Sequence, residues 1–130
     1  MTKKDRRLLI VDDQEEVTRL LGALFRERGY EVVTAYHGRE ALTRAPQFEP
    51  HAVMLDVMMP EMDGWQVLAA LRRQSATALP VIMMSAAADP RNPRLARERG
   101  ATYLKKPFRF AQAVSAVEAL LPFENGDALA

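Results

Sequence analysis

The chain has 130 residues, 48% of them hydrophobic and 27% charged, with a formal net charge of +1 at pH 7. That is enough for one globular domain with a core of its own, and it gives no general attraction to nucleic acid or to an anionic membrane surface. There is no cysteine, which excludes disulfides, thiolate ligands and thiol nucleophiles.

The N-terminus, Met1-Thr2-Lys3-Lys4-Asp5-Arg6-Arg7, is basic, and residues 1–6 read as an extension ahead of a domain over residues 7–121. The apolar run that follows, Leu8 to Val11, is too short for a signal-peptide core or a membrane span. The expected location is therefore cytoplasmic.

Leu8-Leu9-Ile10-Val11 reads as the first strand and runs into Asp12-Asp13. Val17, Leu20, Leu21, Leu24 and Phe25 then recur at helical spacing, with Gly29 placed to end that helix. Residues 31–35 read as a second strand, and a short helix is expected from about Gly38 to Ala45, stopped by Pro46. Ala52-Val53-Met54-Leu55 is the third strand and ends in Asp56. A loop, Met59-Pro60-Glu61-Met62-Asp63-Gly64, leads into a helix carrying Trp65, Leu68 and Leu71.

Pro80 to Met84 is the fourth strand, ending at Ser85. Asp89-Pro90 and Asn92-Pro93 are both cap-plus-first-position signals, so a fourth helix is expected to begin near Pro93 and stop at Gly100. Thr102-Tyr103-Leu104 is the fifth strand and runs into Lys105-Lys106-Pro107. A last helix is expected from about Phe110 to Leu121, stopped by Pro122, with residues 122–130 as a flexible tail. No stretch after Leu121 reads as a DNA-binding helix-turn-helix.

Alternating strand and helix patterns with short connections argue for βα units and a parallel sheet. Right-handed crossovers leave few topologies, and we read an α/β doubly wound five-stranded sheet of order 2-1-3-4-5. Asp12, Asp13, Asp56 and Lys106 then meet at its carboxyl edge, where open α/β sheets bind ligands.

Three carboxylates in one pocket repel, and a hard divalent cation offsets that charge best. Mg²⁺ takes one or two carboxylates, keeps waters and completes its shell with phosphate oxygens. Lys106 supplies a second positive charge, and Asp56 can then act as nucleophile toward a phosphoryl group, with the Ser85 hydroxyl as a donor to it. His37 and His51 stand without a companion at ligand spacing and read as surface residues. Arg91, Arg94, Arg97 and Arg99 read as a solvated face, with docking of an acidic partner as the sharper alternative.

These residues carry a resemblance. Asp12-Asp13, Asp56, the loop Met59 to Gly64, Ser85-Ala86 and Tyr103-Leu104-Lys105-Lys106-Pro107-Phe108 together resemble the receiver domain of two-component response regulators, over about residues 7 to 121. The resemblance implies the flavodoxin-like receiver fold and phosphoryl transfer to Asp56 from a histidine kinase or a histidine phosphotransfer protein. It implies Mg²⁺ held by Asp13 and Asp56, by the Met58 carbonyl, and by Asp12 through water. Lys106 would pair with the phosphoryl group, with a cis bond to Pro107. Ser85 and Tyr103 match the two switch positions that relay the event to the face of helix 4, strand 5 and helix 5, where an output protein or domain docks. Such a protein is a regulatory phosphoacceptor rather than an enzyme, with no direct nucleic acid or membrane partner.

Two departures accompany the resemblance: helix 4 is expected to be short, and Arg109 stands where a capping Asp, Asn or Ser is usual. A phosphorelay intermediate and a phosphorylation-independent docking module are the alternatives within the family. From other classes, a haloacid dehalogenase-type phosphatase would want an Asp where Met58 stands. A P-loop nucleotidase would want G-x-x-x-x-G-K-[ST] where Asp12-Asp13-Gln14 stands, and an FMN carrier would want a hydroxyl- and glycine-rich loop there.

Overall fold

The computed structural model describes residues 6–121. Its elements follow in the order β1 (Arg7–Val11), α1 (Glu15–Glu27), β2 (Glu31–Ala35), α2 (Gly38–Phe48), β3 (Ala52–Asp56), α3 (Gly64–Gln74), β4 (Val81–Ser85), α4 (Arg91–Glu98), β5 (Thr102–Lys105) and α5 (Phe110–Leu120). The five strands form one parallel sheet in the order β2-β1-β3-β4-β5. This is the doubly wound, flavodoxin-like receiver fold.

Period-two alternation sorts the strands onto two cores. Leu9 and Val11 face one side with Val53, Leu55, Val81 and Met83, covered by Ala41 and Ala45 of α2, Val67, Leu68 and Leu71 of α3, and Ala96 of α4. Leu8 and Ile10 face the other side with Met54, Ile82 and Met84, covered by Leu21 and Phe25 of α1 and Ala113, Val114 and Val117 of α5. Buried on both faces, β3 and β4 read as apolar runs up to their last residues, Asp56 and Ser85. Phe25 ties the second core together, with edge-on rings of Tyr30 at 5.2 Å and Phe110 at 5.0 Å.

Three local readings of the sequence need correction. Helix α2 does not stop at Pro46 but carries it in its last turn and ends at Phe48, capped by Glu49 in the left-handed region at φ 53°. Proline there has no N–H for the carbonyl of Leu42, and Gln74 Nε2 of α3 donates to that carbonyl instead, at 3.1 Å. Helix α4 begins at Arg91 rather than near Pro93. Pro93 falls in its first turn, where the missing N–H has no intrahelical partner to lose.

His51 is the third correction. It is half-buried, and its Nδ1 accepts the N–H of Arg7 at 2.9 Å, pinning the start of β3 to the start of β1. His37 is exposed, and it caps α2 by accepting the Glu40 N–H at 3.3 Å. Arg6, ahead of β1, is fully buried and bonds the Tyr30 hydroxyl at 3.0 Å. Pro122 and the tail lie outside the described residues. Helix α4 has eight residues, of which Asn92 and Ala96 are buried, and Arg91, Arg94, Arg97 and Arg99 are all exposed. Its C-terminal end is tied to α3: Arg72 donates to the carbonyls of Arg99 and Gly100, and the Arg99 guanidinium lies 5.4 Å over the Trp65 ring.

Candidate functional site

The register decides which side chains meet. Val11 lies opposite Leu55, Asp56 opposite Met84, and Ser85 opposite Lys105. Asp12, Asp56, Ser85 and Lys106 therefore leave the sheet at one edge. Asp12, Asp13 and Asp56 each bring a carboxylate oxygen to within 4.8 Å of the others. Asp12 is 1% exposed and Asp56 4%, whereas Asp13 is open to solvent.

Lys106 reaches this cluster across the loop after β5. Its Nζ lies 2.5 Å from Asp12 Oδ2 and 3.6 Å from Asp56 Oδ1, and it donates to Gln14 Oε1 at 3.4 Å. The Lys106 N–H donates to the Ser85 carbonyl at 2.9 Å, and the bond from Lys106 to Pro107 is cis. The Lys106 ammonium thus sits against two carboxylates of a cluster of three, and Asp56 stays perturbed. Burial raises its pKa from 3.8 to about 6, and the nearby charge of Asp12 pushes the same way. Lys106 and the Met58 N–H pull it down by less.

A pocket that raises the pKa of its own carboxylate, with convergent oxygen donors open on the Asp13 side, fits a hard divalent cation.

Local structure holds these groups in place. Asp12 Oδ1 accepts the Gln14 N–H at 3.0 Å. Thr18, fully buried, turns its hydroxyl back onto the carbonyls of Asp12 at 3.1 Å and Gln14 at 2.8 Å, bracing the β1–α1 turn. On the far side, Gly64 opens α3 against the end of β3. A Cβ there would meet the Asp56 carbonyl oxygen at 2.3 Å, so only glycine allows the approach. Asp63 caps α3 with a full capping box to Gln66.

Ser85 is buried and its Oγ accepts the Ala87 N–H at 3.0 Å, which leaves a hydroxyl proton to donate. Tyr103 is half-buried against the α2–α3–α4 core, next to Met83 in register. Met58 follows Asp56 by two residues and is 63% exposed. Lys105 points to solvent. Thr18 was not singled out from sequence, and Gln14 and Gly64 entered only as members of longer motifs, without the roles described here. The signal for Thr18 is a β-branched hydroxyl one turn after Gln14, a spacing that suits back-bonding to that carbonyl.

An apolar groove borders the pocket. It is lined by Val17, Leu20, Leu21 and Leu24 of α1 and by Pro107 and Phe108, with Gln14 and Lys106 shared with the carboxylate cluster. Leu20 is 62% and Val17 45% exposed, and three residues apart on α1 they belong to one apolar patch rather than to scattered surface positions.

The family model for the response regulator receiver domain matches residues 8–118. The chain belongs to this family. Among curated relatives, the receiver is 36% identical over 118 residues to the alkaline phosphatase synthesis transcriptional regulatory protein PhoP of Bacillus subtilis, covering 90% of this chain and 49% of that one. The receiver spans about half the length of the curated relatives it matches. Among solved structures, the chemotaxis protein CheY4 of Vibrio cholerae is 31% identical with a TM-score of 0.82, covering 89% of this chain and 98% of that one. A chain of the CheX-CheY-BeF3-Mg²⁺ complex from Borrelia burgdorferi is 29% identical, also with a TM-score of 0.82, covering 91% and 90%. Receivers are regulatory modules, and no helix among the described residues is long and apolar enough to cross a membrane.

Proposed function

We propose that this receiver accepts a phosphoryl group on Asp56 from a phosphohistidine and thereby switches the face formed by α4, β5 and α5. The observation that carries the reading is Lys106 Nζ within ion-pair reach of both Asp12 and Asp56, at the mouth of a three-carboxylate pocket. A structural relative solved together with BeF3 and Mg²⁺ supports it.

Asp13, Asp56 and the Met58 carbonyl are the groups that would hold Mg²⁺, with Asp12 acting through water. The ion supplies charge neutralisation and orientation of phosphoryl oxygens. The residues do the rest. Asp56 attacks phosphorus through a carboxylate oxygen, and the bond from phosphorus to the donor imidazole nitrogen breaks. Asp12 accepts the Gln14 N–H and holds Lys106 in the resting pocket. Lys106 then transfers its ammonium toward the equatorial oxygens, where charge develops.

The added phosphoryl brings about −1.5 to −2 charge. Ser85 turns its hydroxyl toward that charge, and Tyr103 rotates inward behind it, biasing a two-state equilibrium that exists without phosphate. The apolar groove on α1 is the docking surface of the phosphodonor protein. Gln14 and Lys106 line both groove and pocket, so a helix seated on Val17, Leu20 and Phe108 presents its histidine to Asp56. An output protein or domain reads the α4–β5–α5 face, and the setting is cytoplasmic.

Borohydride trapping tests the assignment. After incubation with phosphoramidate, a small donor with a phosphorus–nitrogen bond, reduction converts an acyl phosphate at Asp56 to homoserine, identified by peptide mass. Label on any other residue, or none, contradicts the reading.

A further inference from the structure

The chain has no cysteine, so its sulfur chemistry rests on seven methionines. Their accessibility is sharply divided. Met54, Met83 and Met84 are sealed in the two cores, Met59 is 9% exposed, and Met62 is half-buried against α2 and α3. Met58 alone among the described methionines is open, at 63%. Oxidation of thioethers follows exposure, so one site among these dominates.

That site is not an indifferent one. Met58 lies two residues beyond Asp56, and its backbone N–H bonds the Asp56 carboxylate. Its side chain is open to solvent two residues along the chain from the carboxylate that would carry the acyl phosphate, and hydrolysis of that bond needs a water. A thioether is a weak acceptor and leaves that water unheld. A sulfoxide oxygen is a polar acceptor and converts the same position into one that holds water.

We propose that Met58 is a peroxide-sensitive modification site whose sulfoxide shortens the lifetime of the Asp56 acyl phosphate. The inference rests on the phosphoacceptor reading of Asp56. In the reaction the Met58 sulfur attacks one oxygen of hydrogen peroxide: an S–O bond forms and the O–O bond breaks. Sulfur gives up two electrons, the peroxide is reduced, and one water leaves. Methionine sulfoxide reductases reverse the change, so the device links phosphoryl lifetime to oxidant level without a cysteine.

The test uses the full chain treated with dilute hydrogen peroxide, then phosphorylated with acetyl phosphate and Mg²⁺ and followed by intact mass. Peptide mapping should place the first added oxygen on Met58, ahead of the other described methionines. The acyl phosphate half-life should fall by roughly twofold to tenfold, the span of one net hydrogen bond. In Met58→Leu, which has no oxidisable sulfur there, half-lives with and without peroxide should agree. Met58→Gln, with a carbonyl oxygen near the sulfoxide position, should show the short half-life without peroxide.

Oxygen spread over the core methionines, or equal half-lives before and after Met58 oxidation, overturns the proposal and leaves the phosphoacceptor reading intact. Failure of the untreated chain to take up phosphoryl at all overturns both.

Discussion

Asp56, the proposed phosphoacceptor, carries a stability cost. Its folded pKa of about 6 lies above the unfolded value of 3.8. The native state therefore holds the proton more tightly, and stability falls as pH rises through that window. The penalty at neutral pH is on the order of 3 kcal/mol. Asp56→Asn should accordingly raise the melting temperature at pH 7.5 by several degrees, and the gain should vanish below pH 4. Equal melting temperatures at pH 7.5 would contradict the charge-burial penalty assigned to this carboxylate. The same proton competes with a cation, so Mg²⁺ affinity by calorimetry should weaken as pH drops below about 6. With Met58 apolar and unable to hold water, the untreated acyl phosphate should last minutes or longer, and a half-life of seconds would contradict that. The pocket carboxylates, Lys106 and Ser85 were legible because each ends an apolar run. The burial that separates Asp12 and Asp56 from open Asp13 was not, since it depends on how three chain segments converge.

At the scale of elements, the central strands were legible because parallel strands covered on both faces are apolar along their length, and β3 and β4 are so up to their last residues, Asp56 and Ser85. The ends of α2 and α4 were not. Proline signals a stop from local sequence alone, whereas at Pro46 the freed carbonyl of Leu42 finds its donor in Gln74 on another helix. His51 was misread for the same reason, because its partner is a backbone N–H on a neighbouring strand. Two glycines make opposite predictions. Gly64→Ala should destabilise by roughly 1–3 kcal/mol, because its methyl group would strike the backbone that carries Asp56. Gly22→Ala should stabilise by about 0.5–1 kcal/mol, because it lies inside α1 and the nearest atoms to a new Cβ are at 3.5 Å. Denaturant midpoints measure both, and a loss at Gly22 matching that at Gly64 would show the packing at α1 to be misjudged.

For the whole molecule, Lys106 is the link between the carboxylates at the ends of β1 and β3 and the β4–β5 edge, through its side chain and its backbone bond to Ser85. Helix α4 lies next to that edge, short and with few buried residues, which marks it as a segment of low local stability. Phosphorylation should therefore change amide exchange in α4 and β5 of the native chain. Lys106→Ala should still bind Mg²⁺ but lose that exchange response, and an unaltered response would remove Lys106 from the relay. The central claim is that the carboxylate cluster is a working phosphoacceptor, and intact mass after incubation with acetyl phosphate tests it most directly. The account predicts a gain of one phosphoryl group that requires Mg²⁺ and is absent in Asp56→Asn. No gain with Mg²⁺ present, or an equal gain in the variant, would contradict it.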